Sequence, residues 1–202
     1  MAKFKVRRDR ILFLDVEMTC WDGPAPEGQV QEIIEFGLAE VDVPSLALVR
    51  TASFLVRPES STVSPFCERL TGITAERLKK EGRWLSEVLA TMKKEFGTQS
   101  KAWMSWGADR RAVVADCERK SASNPFSEAF HDIGMQFSLM TGASASVGMQ
   151  EAAAMLGVGL EGRHHSGVDD AAQTARIWIE LATRLRRGLE ANAEPRVPGG
   201  GM

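Results

Sequence analysis

The sequence predicts an α/β protein built on a mixed β-sheet with helices packed against it. Three observations carry this expectation. Short apolar strands open the chain, two of the early strands flank a turn, and strands then alternate with amphipathic helices. The length, 202 residues, fits one domain with a sizeable core.

Residues Arg10 to Val16 form a short apolar run, expected as a buried strand. Residues 22–29, DGPAPEGQ, have the chemistry of a loop. Glu32 to Val43 and Leu46 to Val56 read as two strands joined at Pro44 and Ser45, hence a hairpin. Ser64 followed by Pro65 is a helix start, with serine as cap and proline at the first helical position. Thr74 caps a second short helix, with Glu76 suited to its first turn. Trp84, Leu85, Val88, Leu89, Met92 and Phe96 recur at helical spacing and stop at Gly97. Ala102 to Trp106 is the fourth strand, Arg110 to Arg119 a helix, and Phe130 to Ile133 the fifth strand. Gly148 to Leu156 and Val168 to Arg187 are the last helices. Residues 189–202 are rich in Pro and Gly towards their end and read as a tail without fixed structure.

Composition narrows the function. Apolar residues make up 44% and charged residues 26%, as in ordinary globular proteins. No apolar run reaches the roughly 18–20 residues of a membrane span. The N-terminal apolar stretch is interrupted by Asp15 and Glu17, so a secretory signal is not expected and the cytoplasm is. Cys20, Cys67 and Cys117 show no C-x-x-C or thiol-zinc spacing and read as reduced, partly buried thiols. A formal net charge of −2 argues against a protein that coats long stretches of nucleic acid. It leaves room for one that grips a strand end.

Three segments carry candidate chemistry. In ILFLDVE, Asp15 and Glu17 lie two apart at the end of a strand, so they project to the same side. Paired carboxylates raise each other's pKa unless a cation neutralises them, and hard divalent ions prefer carboxylate oxygen. Alone, such a pair reads more simply as two solvated charges. In SWGADRR, Asp109 stands between a strand end and a helix start, where sites gather in α/β sheets, and where an aspartate can equally serve as a helix cap. In RHHSGVDD, two histidines run into a helix that opens with Asp169 and Asp170. Both His164–Asp169 and His165–Asp170 are spaced by five, and acidic residues suit a helix N-terminus regardless. His131 reads as an edge or core histidine, Trp178 as core, and Trp103 and Trp106 as core rather than base-stacking platforms.

Taken together and in this order, the three segments resemble the DEDDh 3′-to-5′ exonucleases. The closest likeness is to the branch with histone-mRNA and small-interfering-RNA exoribonucleases and their bacterial relatives. ILFLDVEMTCW, QEIIEFG, FLVRP, SPFCERLTGIT, SWGADRR, GMQEAAAMLG and GRHHSGVDDAAQTARI carry the resemblance across most of residues 10–187. It implies a ribonuclease-H-like mixed five-stranded sheet with helices on both faces, and an exonuclease domain over residues 1–188. It further implies Asp15, Glu17, Asp109 and Asp170 as ligands of two divalent ions, Mg²⁺ or Mn²⁺, with Asp15 touching both and His165 as general base. Met18 and Thr19 are expected near the terminal 3′ hydroxyl, and Leu70, Thr71 and Gly72 around the last nucleotide. Leu70 reads equally well as core. The chain is one residue shorter than close relatives between Gly107 and Asp109. The implied substrates are 3′ ends of single-stranded RNA or DNA, and the product is a nucleoside 5′-monophosphate. A proofreading subunit of a polymerase and a non-catalytic nucleic-acid-binding module on the same fold are the competing readings.

Overall fold

The computed structural model describes residues 6–193. Five strands form one sheet: β1 (Arg7–Met18), β2 (Ile33–Asp42), β3 (Ala47–Leu55), β4 (Lys101–Ser105) and β5 (Phe130–Asp132). Their spatial order is β3-β2-β1-β4-β5, antiparallel through the first three and parallel from β1 to β5. β1 is therefore central, and Ile11 to Leu14 are buried on both sides, as a strand covered on both faces requires.

The period of two along β1 divides the core. Leu12 and Leu14 face α3 (Leu85–Phe96) and α4 (Asp109–Arg119), meeting Val88, Met92, Val113 and Cys117. Ile11 and Phe13 face α7 (Gly167–Ala193), meeting Ala171, Ala172 and Ala175. Alanines on this stripe let α7 lie close to the sheet, and Trp178 fills the wider end against Phe13 with ring centroids 5.9 Å apart. Helices thus cover both faces. Burying one leucine of this core contributes about 1.5–3 kcal/mol.

The short helices α1 (Pro65–Thr71) and α2 (Ala75–Glu81) begin where expected. The Ser64 and Thr74 side chains accept from the Cys67 and Arg77 amides. The hairpin turns at residues 43–46, with Leu46 left-handed at φ 53°. Glu32 lies outside β2 for a physical reason. Its buried carboxylate accepts from the amides of Glu59, Ser60 and Ser61 and pairs with Lys120, so it holds a loop instead of extending the sheet.

Two expectations need correction. The segment after β5 is a helix that the sequence reading missed, α5 (Ile133–Thr141), capped by Asp132, whose Oδ1 accepts from the Met135 amide at 2.9 Å. Met135, Leu139 and Met140 are exposed on it, which blurs the apolar period that would announce a helix. The last helix does not stop at Arg187. It runs through Ala193, so residues 189–193 continue the helix, and residues 194–202 of the expected tail lie outside the described residues. Gly188 is tolerated because the surrounding residues are strong helix formers. Among the described residues no helix is long and apolar enough to cross a membrane.

Candidate active site

The odd-numbered residues of β1 run Ile11, Phe13, Asp15, Glu17 along the face covered by α7. Beyond Phe13 the apolar stripe becomes acidic, just where α7 begins. Asp170, in the first turn of α7, meets the two strand carboxylates there. Oxygens of Asp15, Glu17 and Asp170 all lie within 4.8 Å of one another. Asp109 approaches from α4, and its Oδ1 accepts from the Val16 amide at 3.3 Å, between the two strand acids. It is the first helical residue, and the cap position belongs to Ala108 without a side-chain bond. The shorter segment after Gly107 thus still delivers Asp109 to the carboxyl end of β1.

These carboxylates are costly. Burial pushes Asp15 well above the ordinary carboxylate range, and Asp109, Glu17, Asp170 and Glu35 push it further. Burial, then Asp170, Glu35 and Asp109, raise Glu17 to about 8, against a small lowering by Arg163. Burial raises Asp109 to about 6 against the Val16 and Ser105 hydrogen bonds. Among the described residues no lysine or arginine lies within ion-pair distance of Asp15, Glu17 or Asp170, and His164 is the one basic group that close. Three converging hard oxygen donors, without a compensating cation, fit a divalent ion such as Mg²⁺ or Mn²⁺ better than a thiophilic one.

The two spacings of RHHSGVDD are separated by the loop's own bonds. Asp169 Oδ2 accepts from the Arg163 amide at 3.0 Å, and its side chain sits against Gly162, so it closes the loop instead of joining the acids. Asp170 Oδ2 accepts from the His165 amide at 2.9 Å, and its Oδ1 lies 3.3 Å from His164 Nδ1. Adjacent side chains would point apart in an extended loop. His165 instead adopts φ 63°, and the two rings stand side by side with centroids 4.0 Å apart. Both line the same cleft of about 410 Å³ with Asp15, Glu17 and Asp170. The His165 imidazole is held below its usual pKa, first by burial and then by His164 and Arg163, with Asp170 opposing. It is therefore neutral, and able to accept a proton, at neutral pH.

The expected nucleotide-contacting residues divide. Met18 and Leu70 are half-buried, and neither lines the acidic cleft. Thr19 is fully buried, and its hydroxyl donates to the Val30 carbonyl and accepts from the Glu32 amide, so the expected approach to a terminal hydroxyl is closed to that side chain. The Thr71 hydroxyl is likewise committed to Cys67 and Ile73. Gly72 ends α1 at φ 69°, where a Cβ would stand 1.7 Å from an Arg163 guanidinium nitrogen. Arg163 donates to the Leu70 carbonyl at 2.9 Å and so ties this segment to the histidine loop.

Several residues of the site escaped the sequence reading. Trp106, read from the sequence as core, is instead half-buried and lines the cleft, its indole N–H donating to the Val147 carbonyl at 3.1 Å. Gln150 faces the same space from the first turn of α6 (Met149–Leu156). Glu35 stands opposite Glu17 across the β1–β2 ladder and is buried. Arg163 and Glu35 had a signal, since both lie inside segments that carry the resemblance, but neither lies in a recognisable catalytic spacing. Of the residues read as structural, Trp103 packs in the core, Trp178 is partly buried against it, and His131 is exposed on the edge strand β5.

Comparison with known proteins agrees with this geometry. The family described as Exonuclease matches residues 12–178. The rat protein named 3′-5′ exoribonuclease 1 is 31% identical over 95% of this chain, and the chain spans 57% of that relative's length. A Bacillus subtilis protein named a probable 3′-5′ exonuclease is 25% identical, with 93% of this chain and 91% of that one aligned. The solved nuclease domain of 3′hExo, described as a DEDDh family member bound to rAMP, is similar over 96% of this chain and 98% of that one. The TM-score is 0.74 and the identity 28%.

Proposed function

The chain belongs to the exonuclease family and has the ribonuclease-H-like fold of its DEDDh members, and from that premise we propose that it removes nucleotides one at a time from a free 3′ end of RNA or DNA, releasing nucleoside 5′-monophosphates. One observation carries the reading: Asp15, Glu17 and Asp170 converge within 4.8 Å, with Asp109 and His165 at their margin.

In this reading Asp15, Glu17 and Asp170 hold divalent cations, Mg²⁺ or Mn²⁺, with Asp109 assisting at the side of β1. Two such ions, when bound, supply charge neutralisation for the scissile phosphate and its leaving 3′ oxygen and acidify the attacking water. The chain's own groups do the rest. His165 is half-buried and kept neutral, so an imidazole nitrogen takes the proton from the water that attacks the phosphorus. Its backbone N–H, bonded to Asp170, holds the His165 backbone beside the acid cluster. Leu70 offers an apolar side chain for the terminal base, and Gly72 keeps the α1 cap tight against Arg163. The N-terminal turn of α6 faces the cleft with Gln150, and its free N–H groups favour an approaching phosphate. Three free cysteines fit a cytoplasmic setting, where thiols stay reduced.

The test is digestion of matched 3′-extended RNA and DNA oligonucleotides, labelled at the 5′ end, with Mg²⁺ or Mn²⁺. A ladder of products shortened one nucleotide at a time, abolished by chelator and by Asp15→Ala, is the expected result. Efficient cleavage of a circular single strand, or full activity without divalent metal, overturns the reading.

A further inference from the structure

We propose that Glu35 is a positioning residue that seats the first turn of α7 so that Asp170 reaches the strand carboxylates; this rests on the metal-dependent reading above. Glu35 is 5% exposed and lies on the same face of the sheet as Asp15 and Glu17, in register with Glu17. Among the described residues it has no ion-pair partner. Its two oxygens have distinct tasks. Oε1 accepts from the Ser53 hydroxyl at 2.6 Å, which anchors the side chain to β3. Oε2 accepts from the Gly167 amide at 3.0 Å, at the start of α7.

That amide is one of the donors a helix leaves unpaired at its N-terminus, and Gly167 is buried, so water cannot serve it. A carboxylate is also favoured there by the helix dipole. The surroundings are built for close approach. A Cβ on Gly37, the partner of Asp15 across the ladder, would lie 1.9 Å from the Gly167 carbonyl carbon. A Cβ on Gly167 would lie 3.3 Å from the Glu35 carboxyl carbon. The backbone of α7 therefore rests directly on β2, and Glu35 is the polar peg of that contact. One turn later the Asp170 amide donates to the Ser166 carbonyl at 2.9 Å, so the seat of Gly167 sets the place of Asp170.

The glutamate-to-glutamine change separates seating from charge. An amide oxygen can still accept from Gly167, and its NH₂ can donate to Ser53, whose hydroxyl turns to accept. The expected result is that Glu35→Ala raises the Mn²⁺ concentration for half-maximal thermal stabilisation by about 10–100-fold and lowers kcat by a similar factor. The KM for an oligonucleotide should move little. Glu35→Gln should restore the Mn²⁺ midpoint to within about threefold. A wild-type midpoint in Glu35→Ala, or a glutamine variant as impaired as the alanine one, overturns the proposal. If Glu35→Ala does not fold, Ser53→Ala replaces it. Ser53 is exposed, and loss of its anchor should raise the midpoint several-fold; no change overturns the proposal. A wild-type protein that Mn²⁺ fails to stabilise would instead defeat the metal-dependent reading itself.

Discussion

Without divalent metal, the folded protein should lose stability as pH rises from about 4.5 to 8. Glu17 carries the argument. Its carboxyl moves from the ordinary value of 4.5 to about 8 on folding. The folded state therefore holds this proton more tightly than the unfolded chain. Stability is fully present below the unfolded pKa and is lost as pH climbs through the folded one. Asp109, raised from 3.8 to about 6, acts in the same direction over the lower part of the window. One tenfold change in proton affinity is about 1.4 kcal/mol, so Glu17 alone sets a ceiling on the order of 5 kcal/mol. Neighbouring acids share the repulsion, and a loss of about 2–5 kcal/mol is expected. For a domain of this size that is roughly 5–15 °C in Tm. His165 works the other way, since its pKa is lowered, and its protonation costs stability as pH falls. Glu17→Gln isolates the carboxyl. The assay is calorimetry in chelator at pH 5.5, 7.0 and 8.5, repeated with excess Mg²⁺. Chelated wild type should melt lower at 8.5, while Mg²⁺ and Glu17→Gln should each flatten the trend. A melting temperature that holds or rises from pH 5.5 to 8.5 in chelator, or a Glu17→Gln variant with the wild-type slope, would refute the reasoning.

Three further outcomes can be checked. Asp170→Asn should abolish stabilisation by Mn²⁺, whereas Asp169→Asn should keep it, because Asp169 bonds the Arg163 amide instead of facing the acids; equal effects would mean the loop is placed differently. His165→Ala should reduce single-turnover rates by about 10²–10⁴, the usual share of a general base. His164→Ala should cost only about tenfold, through its contact with Asp170, and the reverse ranking would move the base to His164. Gly37→Ala should destabilise the fold by about 3 kcal/mol or displace α7, since the added carbon would meet the Gly167 backbone at 1.9 Å; an alanine variant with wild-type Tm and turnover would show that this contact opens freely.

Asp15 and Glu17 were legible as a pair on one side of a strand because a period of two continues past Phe13, but alone they read as solvated charges, and only the two later segments and the resemblance they complete gave the pair a role. The choice between Asp169 and Asp170 was not legible from spacing, since both offer a histidine five residues before. It is made by tertiary contacts: Gly162 leaves room for the Asp169 side chain, and the Arg163 amide binds it. The expectation that consecutive histidines diverge assumed an extended loop, and the left-handed backbone at His165 reverses it. Thr19 looked polar and available beside the carboxylates, yet its hydroxyl satisfies two buried backbone groups from residues 30 and 32, contacts 11 and 13 positions away. Glu35 is one of several acids in a strand, and only the ladder register with Glu17 and the approach of Gly167 distinguish it. α5 was hidden by an exposed apolar face, which local patterning cannot tell from a core.

The fold itself supports the position of each acid. β1 is paired with β4 up to Phe13 and with β2 through Asp15 and Glu17, which fixes the backbone that carries the two acids. Asp109 is bonded to the Val16 amide, which fixes α4 to the same strand. Asp170 is held by the seat of α7 on Gly37 and by the His165 amide. A looser site would relieve repulsion by opening, and a cation would then have to reassemble it. Burial and mutual repulsion at these fixed positions raise the carboxyl pKa values. A divalent ion entering this site would displace protons from donors already in place and forgo most of the ordering cost. The price in metal-free stability and the readiness of the site are thus two consequences of one rigid arrangement. The Glu17→Gln and Glu35→Ala variants separate them, the first by removing repulsion with the supports intact, the second by removing a support.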